Sequence, residues 1–306
     1  MTDGNANTTL RCAVIGLGSM GGGMAASLMR AGFEVSGYDV NQDACTRLAA
    51  EGARIGATPA DAAAGADCVI AVVVNADQTE TVLFGPDGCA ATMKPGGVFV
   101  SSATMAPERA RAFAARLEAT GRHYLDAPMS GGAARAADGQ LTMLASGSKA
   151  AFDAARPALQ AMTGTLYELG DEAGLGAAFK MVNQLLAGVH IAAACEAIAF
   201  AAHQGLDLRR VYEVITKSAG NSWMFENRVP HVLDGDYTPR SAVNIFTKDL
   251  GIVLDMARAG QFPVPVAGAA LQMYLMTAAA GMGKDDDASV ARLYAQISGL
   301  SLPQPV

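Results

Sequence analysis

Three groups of residues in this chain of 306 residues have types and spacings that suit chemistry. Lys180, Asn183 and Gln184 stand at i, i+3 and i+4 within an apolar stretch, 174–205 (GLGAAFKMVNQLLAGVHIAAACEAIAFAAHQG). If that stretch is helical, all three project from one patch of an otherwise apolar rod. Burying an ammonium is costly unless partners or a task hold it there, which makes Lys180 a candidate proton donor and acceptor. Ser130, Gly131 and Gly132, in DAPMSGG, offer a hydroxyl and approachable backbone N–H groups that suit a carboxylate. Gly16, Gly18 and Gly21 have the GxGxxG spacing, and Asp39 follows 18 residues after the last of them. Such glycines let a pyrophosphate approach the backbone at a helix N-terminus, while the acid accepts from a ribose hydroxyl. Each group has an ordinary counterpart: a lysine snorkelling to the surface, a loop of small turn residues, a tight turn without a ligand.

The elements that must position these residues follow from the apolar pattern. Residues 10–15 (LRCAVI) form an expected strand entering the glycine turn with Leu17, Ser19 and Met20, and a helix closed by Gly32 follows. The next strand, 33–39, ends in Asp39. Further strands are expected at 68–74, 98–101, 124–127, 141–145 and 166–169, alternating with helical segments around Ala60, Thr79, Pro107 and Phe152. That alternation predicts an α/β fold with a Rossmann-type doubly wound sheet over 1–173. Ligands of such sheets bind beyond the strand C-termini, so the loops 75–77, 103–107 and 128–132 are where chemistry is expected, with Val74 and Asn75 beside the cofactor. From 174 to 306 no further strand is convincing, and an all-α C-terminal domain for substrate binding and oligomerisation is predicted. Its helices are expected at 174–205, 208–218, 244–259 and 264–280, separated in part by an irregular polar insert, 219–231 (AGNSWMFENRVPH). Asn221 and Trp223 in that insert are candidates for binding a hydroxylated ligand, against the alternative of a surface loop with one aromatic anchor. Lys248, in FTKDLG, is either a solvated surface charge or a second cation that would help Lys180 release its proton.

Composition excludes several classes. With 51% hydrophobic and 17% charged residues, the chain has ample material for a core. A net charge of -7 and no basic cluster argue against a nucleic-acid partner. Five scattered cysteines imply reduced thiols and no disulfide framework. The opening MTDGNANTTL reads as a short tail with neither a basic nor an apolar signal region, so a cytoplasmic protein is expected. A membrane span at 185–202 suits the length, but His190 and Glu196 would lie inside it, and no membrane partner is expected. The histidines show no paired ligand spacing and Asp285, Asp286 and Asp287 lack a calcium-loop pattern, so no metal is expected and the acidic run reads as a solvated turn. Asp39 favours NAD over NADP, because a 2'-phosphate would be repelled by the carboxylate and no arginine follows until Arg47.

The ordered set GLGSMGGGMA, DAPMSGG, GLGAAFKMVNQ and FTKDLG resembles the β-hydroxyacid dehydrogenases, which include 3-hydroxyisobutyrate dehydrogenase and tartronate semialdehyde reductase. The resemblance runs from about residue 11 to about residue 299, and GNSWMFENR, DGDYTP and GKDDDASV resemble the branch of that family acting on L-threonate. It implies that Gly16, Gly18, Gly21 and Asp39 hold NAD, that Thr104 contacts the cofactor and that Ser130, Gly131 and Gly132 bind the substrate carboxylate. Lys180 is then catalytic and Lys248 lies near the nicotinamide. Two departures stand out. Ala103 occupies a place where the family often has serine, and Asn183 with Gln184 replaces a frequent pair of asparagines, leaving open which of the two touches substrate. The expected reaction is NAD-dependent oxidation of a small hydroxy acid, with Lys180 as general base and, in reverse, general acid; a homodimer or homotetramer is expected. An oxidative decarboxylase, an imine or ketone reductase and a non-catalytic NAD-binding module are the rival readings.

Overall fold

A computed structural model describes residues 10–304, so the expectation for the opening tail lies largely outside the described residues. The chain divides into two compact units, one ending at Lys180 and the other beginning at Met181.

The first unit opens with β1 (Arg11–Ile15), α1 (Gly21–Arg30), β2 (Glu34–Tyr38), α2 (Gln42–Ala50), β3 (Arg54–Ile55), α3 (Pro59–Ala62), β4 (Cys68–Ala71), α4 (Ala76–Phe84), β5 (Val98–Ser101), α5 (Pro107–Glu118) and β6 (His123–Asp126). These six strands form one parallel sheet in the order β3-β2-β1-β4-β5-β6. The order reverses beside β1, which creates the crevice where doubly wound sheets bind ligands. Strand sequences such as CVIA and VFVS are apolar throughout because both faces are covered. Alternate side chains serve different cores: Cys12, Val14, Ile70 and Val100 pack on one face, Ala13, Ile15, Val69 and Phe99 on the other.

The sheet expectation needs one correction. Residues 141–145 and 163–168 do not extend the main sheet; β7 (Met129–Ser130), β8 (Leu141–Ala145) and β9 (Thr163–Glu168) make a separate three-stranded sheet, with α6 (Gly132–Ala137) and α7 (Lys149–Met162) between them. β8 runs antiparallel to β7 and parallel to β9. The chain does not turn at Pro128: Asp126 opposite Ser146 and Met129 opposite Met143 share one antiparallel register, so β7 continues the direction of β6 and the reversal comes with β8, after α6.

The second unit is helical: the rest of α8 (Leu175–His203), then α9 (Leu208–Ile215), α10 (Trp223–Asp234), α11 (Val243–Ala259), α12 (Pro265–Thr277) and α13 (Val290–Ser298). α8 is long and apolar enough to cross a membrane, yet half of its most apolar window is buried within the protein, where Ala187, Ile191, Cys195 and Ile198 join the core of this unit. Two further expectations are corrected. The polar insert is not irregular throughout: Ser222 caps α10 by accepting from Phe225 N at 3.0 Å, and the helix continues past Pro230 to Asp234. The acidic run is not a solvated turn throughout: only Asp285 stays half exposed. Asp286 and Asp287 are fully buried, because Asp286 meets His231 Nδ1 at 2.8 Å and Asp287 accepts from Arg228 Nε at 2.6 Å.

Candidate active site

The glycine turn after β1 is shaped by close backbone approach. Gly16 has φ +93°, and a Cβ at Gly21 would collide with the carbonyl of Gly16, so neither position accepts a side chain. Nothing lies within 4 Å of a Cβ built on Gly18, which leaves open space above the turn. α1 then begins with Met20 at its cap position, no capping side chain and no acid in the first turn. An uncapped, acid-free helix N-terminus beside an open glycine is a cradle for a pyrophosphate. Asp39, after β2, accepts from Leu17 N at 2.5 Å and from Asn41 N at 2.7 Å. It therefore fixes the turn as well as offering lone pairs to a ribose. The residues present fit a dinucleotide. A cavity of about 220 Å³ adjoins the turn, lined by Leu17, Gly18, Ser19, Gly22 and residues of α2 that include Arg47. At the end of β4, Val74 is half exposed and donates its N–H to Gln78 Oε1 at 2.8 Å, while Asn75 caps α4 by accepting from Gln78 N at 2.9 Å. Thr104 lies partly exposed beyond β5, and Ala103 before it is buried.

The DAPMSGG segment supplies the second part of the site. Ser130 ends β7, Gly131 adopts φ 136° at the cap position of α6, and Gly132 opens that helix with φ 79°. No side chain caps α6. Lys180, in the second turn of α8, is buried at 8% exposure, and its ammonium donates to the carbonyl of Met129 at 2.8 Å. A snorkelling lysine would reach solvent; this one turns inward to the residue before Ser130. The first unit thus brings together the lysine and the loop read as a carboxylate binder.

In the second unit Asn183, Gln184, Asp249 and Lys248 form a chain of polar contacts. Asn183 Nδ2 donates to Gln184 Oε1 at 2.9 Å, Gln184 Nε2 donates to buried Asp249 Oδ2, and Lys248 Nζ pairs with Asp249 Oδ1 at 2.6 Å. Lys248 is therefore a partly buried, paired cation and not a solvated charge. Asp249 was missed by sequence reasoning, although its place in FTKDLG beside Lys248 was a usable signal. Asn221 is turned to its own neighbourhood, with Nδ2 donating to Thr216 O at 3.3 Å and to Glu226 Oε1 at 2.5 Å. Trp223 is more than half exposed at the first position of α10. Among the described residues no cluster of potential metal ligands exists, and all five cysteines are free and buried.

Fold and site together define a nicotinamide-dinucleotide-dependent oxidoreductase. Residues 11–170 match the family described as the NAD binding domain of 6-phosphogluconate dehydrogenase, and residues 174–294 the family described as NAD-binding of NADP-dependent 3-hydroxyisobutyrate dehydrogenase. The chain belongs to the β-hydroxyacid dehydrogenase family, and it is a dehydrogenase acting on the CH–OH group of a hydroxy acid. It is 52% identical to an L-threonate dehydrogenase of Cupriavidus necator, over 95% of this chain and 97% of that one. With the L-threonate dehydrogenase of Escherichia coli K12 it shares 48%, over 95% of each chain. A crystal structure of a 3-hydroxyisobutyrate dehydrogenase from Salmonella typhimurium superposes with a TM-score of 0.88 at 49% identity, covering 93% of this chain and 99% of that one.

Proposed function

We propose that this enzyme oxidises L-threonate to its keto acid with NAD, residues 1–173 holding the dinucleotide and 174–306 supplying most of the substrate contacts. The observation that carries the reading is the buried ammonium of Lys180, held on the Met129 carbonyl one residue before Ser130. Neutral Lys180 takes the hydroxyl proton in oxidation, and its ammonium returns one to the carbonyl oxygen in reduction. Ser130, Gly131 and Gly132 hold the carboxylate, which fixes the reacting carbon and supplies rate by orientation. Asn183 or Gln184 orients the hydroxyl, and Asn221 and Trp223 favour a polyhydroxy acid. Gly16, Leu17, Gly18, Ser19, Met20, Gly21, Asp39, Val74, Asn75 and Thr104 hold the cofactor, with Lys248 near its nicotinamide; when bound, that ring accepts the hydride. The preference for NAD rests on the Asp39 carboxylate, which repels a 2'-phosphate. Substrate choice rests on the names of the relatives near 50% identity. Exposed Phe200, Val266 and Ile297 in the helical unit support a homodimer or homotetramer.

A second reading, oxidation of 3-hydroxyisobutyrate, is favoured by the description of the Salmonella structure. NADH absorbance with a panel of small hydroxy acids separates the two. L-Threonate with NAD is expected to give the highest kcat/KM. A site built to pair hydroxyl groups leaves them unsatisfied against a methyl group, at about 1–3 kcal/mol each. Equal turnover of 3-hydroxyisobutyrate and L-threonate would overturn the assignment.

A further inference from the structure

The first N–H groups of a helix have no carbonyl one turn earlier to receive them. At the start of α8 two buried side chains from elsewhere in the first unit take that place. Asp126 Oδ2 accepts from Gly174 N at 3.0 Å and from Ala177 N at 2.7 Å, and Ser146 Oγ accepts from Gly176 N at 2.9 Å. Asp126 and Ser146 are themselves joined by both backbone hydrogen bonds, at 3.0 and 2.8 Å, where β6 and β8 end. Gly176 lets the helix sit directly on these strands: a Cβ there would collide with the Leu144 carbonyl and come within 2.8 Å of the Asp126 carbonyl. Three residues beyond Asp126, the Met129 carbonyl receives Lys180 Nζ at 2.8 Å. The connections close a ring. It runs from the Asp126 carboxylate into the first turn of α8, along one turn to Lys180, across to Met129, and back through Pro128 to Asp126. Ser130 leaves that ring at Met129.

We propose that Asp126 is the positioning residue for Lys180, its carboxylate setting the first turn of α8 against β6 so that the ammonium and the Ser130–Gly132 loop share one frame. This rests on the reading of Lys180 as the acid–base group. A helix start free to shift would carry Lys180 with it, and misplacement of a reacting group by about 1 Å costs on the order of 100-fold in rate. The role differs from support of the fold. Burial pushes the Asp126 carboxyl up to about 6, against the pull of the Ala177 and Gly174 N–H groups and of Arg111 on α5. At neutral pH its ionised form is therefore a cost to the folded state and not a source of stability.

Two variants and a control test it in the full-length enzyme, reading kcat for L-threonate, NAD affinity by titration, and Tm. Asp126→Asn keeps the shape and an acceptor oxygen; kcat is expected within about threefold of the parent and Tm no lower. Asp126→Glu keeps charge and acceptors but moves them one methylene outward. It is expected to lose at least about tenfold in kcat with NAD affinity within about twofold. If the glutamate variant does not fold, Asp126→Ala, which removes both acceptors without adding bulk, carries the same expectation. A folded glutamate or alanine variant with kcat within twofold of the parent overturns the proposal, and so does an asparagine variant as slow as the glutamate one. Lys180→Ala, measured alongside, separates the two layers. Normal turnover there removes the lysine reading itself, whereas a slow Lys180→Ala beside a normal Asp126→Glu removes only the positioning role.

Discussion

The glycine turn between β1 and α1 and the acidic turn before α13 meet opposite demands with equally short stretches of chain. In the glycine turn the backbone is left open: α1 has no capping side chain, Gly18 faces free space, and the Asp39 carboxylate braces the turn from the side by accepting from Leu17 N and Asn41 N. In the acidic turn the two buried carboxylates are closed off by partners. Asp286 takes His231, Arg240 N and Ala288 N, Asp287 takes Arg228, and their own N–H groups bind the Tyr237 and Ser241 carbonyls. A donor set left unsatisfied is available to a charged ligand. A charge set satisfied internally is available only to stability. The first region is where the cofactor is expected to be felt, the second where unfolding is.

The largest effect expected from this contrast is on stability. Asp287→Ala leaves Arg228 buried without its partner and should cost about 3–5 kcal/mol, while NAD affinity of the folded protein stays the same. Asp285→Ala, two residues earlier, breaks a half-exposed pair with Arg292 and should cost less than about 1 kcal/mol. Denaturant titration of both checks the pair of values, and equal costs would erase the distinction between closed and open charge.

The converse substitution acts on the cofactor. Asp39→Asn keeps one acceptor for Leu17 N, loses the one that Asn41 N uses and removes the charge, so stability should fall by about 1 kcal/mol while the ratio of kcat/KM for NAD over NADP falls by about tenfold, the effect of roughly 1.4 kcal/mol. A ratio that does not move would detach Asp39 from cofactor choice.

The smallest effect is on pH dependence. Burial pushes both Asp126 and Asp287 up to about 6 from ordinary values near 3.8, Arg228 pulling the second back. Between those values the folded protein binds more protons than the unfolded chain, so the contribution of these groups to stability is greatest near pH 4 and falls as pH rises through about 6. Other carboxylates, held low by partners, lose their contribution only at more acidic pH, as Asp67 does through Lys94 and Asp286 through His231. Tm should therefore be higher at pH 5.5 than at pH 7.5 by at least about 2 °C, and Asp287→Asn should flatten part of that slope. Calorimetry across that window reads it directly.

These regions also differ in how much of them is legible in sequence. The glycine turn draws on Gly16, Gly18, Gly21 and Asp39 within one strand–helix–strand unit, so their spacing carries its chemistry even though Asp39 reaches Leu17 across 22 residues. The long helix is equally local: its expected span, 174–205, lies within two residues of Leu175–His203 because no proline interrupts it and glycines close it. The acidic turn depends on Arg228, 59 residues earlier in the chain, and nothing in KDDDAS announces that partner. Gln184 and Asp249, 65 residues apart, are hidden in the same way. The second sheet was not legible because β8 has the same apolar alternation whether it joins the main sheet or stands apart; the two-residue β7 that recruits it is too short to leave a pattern. α10 was masked by Asn221, Ser222 and Pro230, two of which mark its start while the third is tolerated inside it.

The central claim is that Lys180 moves the proton. Steady-state turnover of L-threonate by Lys180→Ala and Lys180→Arg tests it most directly, with Tm and NAD affinity measured on the same samples. A loss of at least about 100-fold in kcat is expected for alanine, the lower range for general acid–base catalysis, with fold and NAD binding retained. Little recovery is expected with arginine, whose guanidinium cannot give up its proton at working pH. Near-normal turnover in either variant, at unchanged Tm and NAD affinity, would contradict the claim and return the buried lysine to a purely structural role.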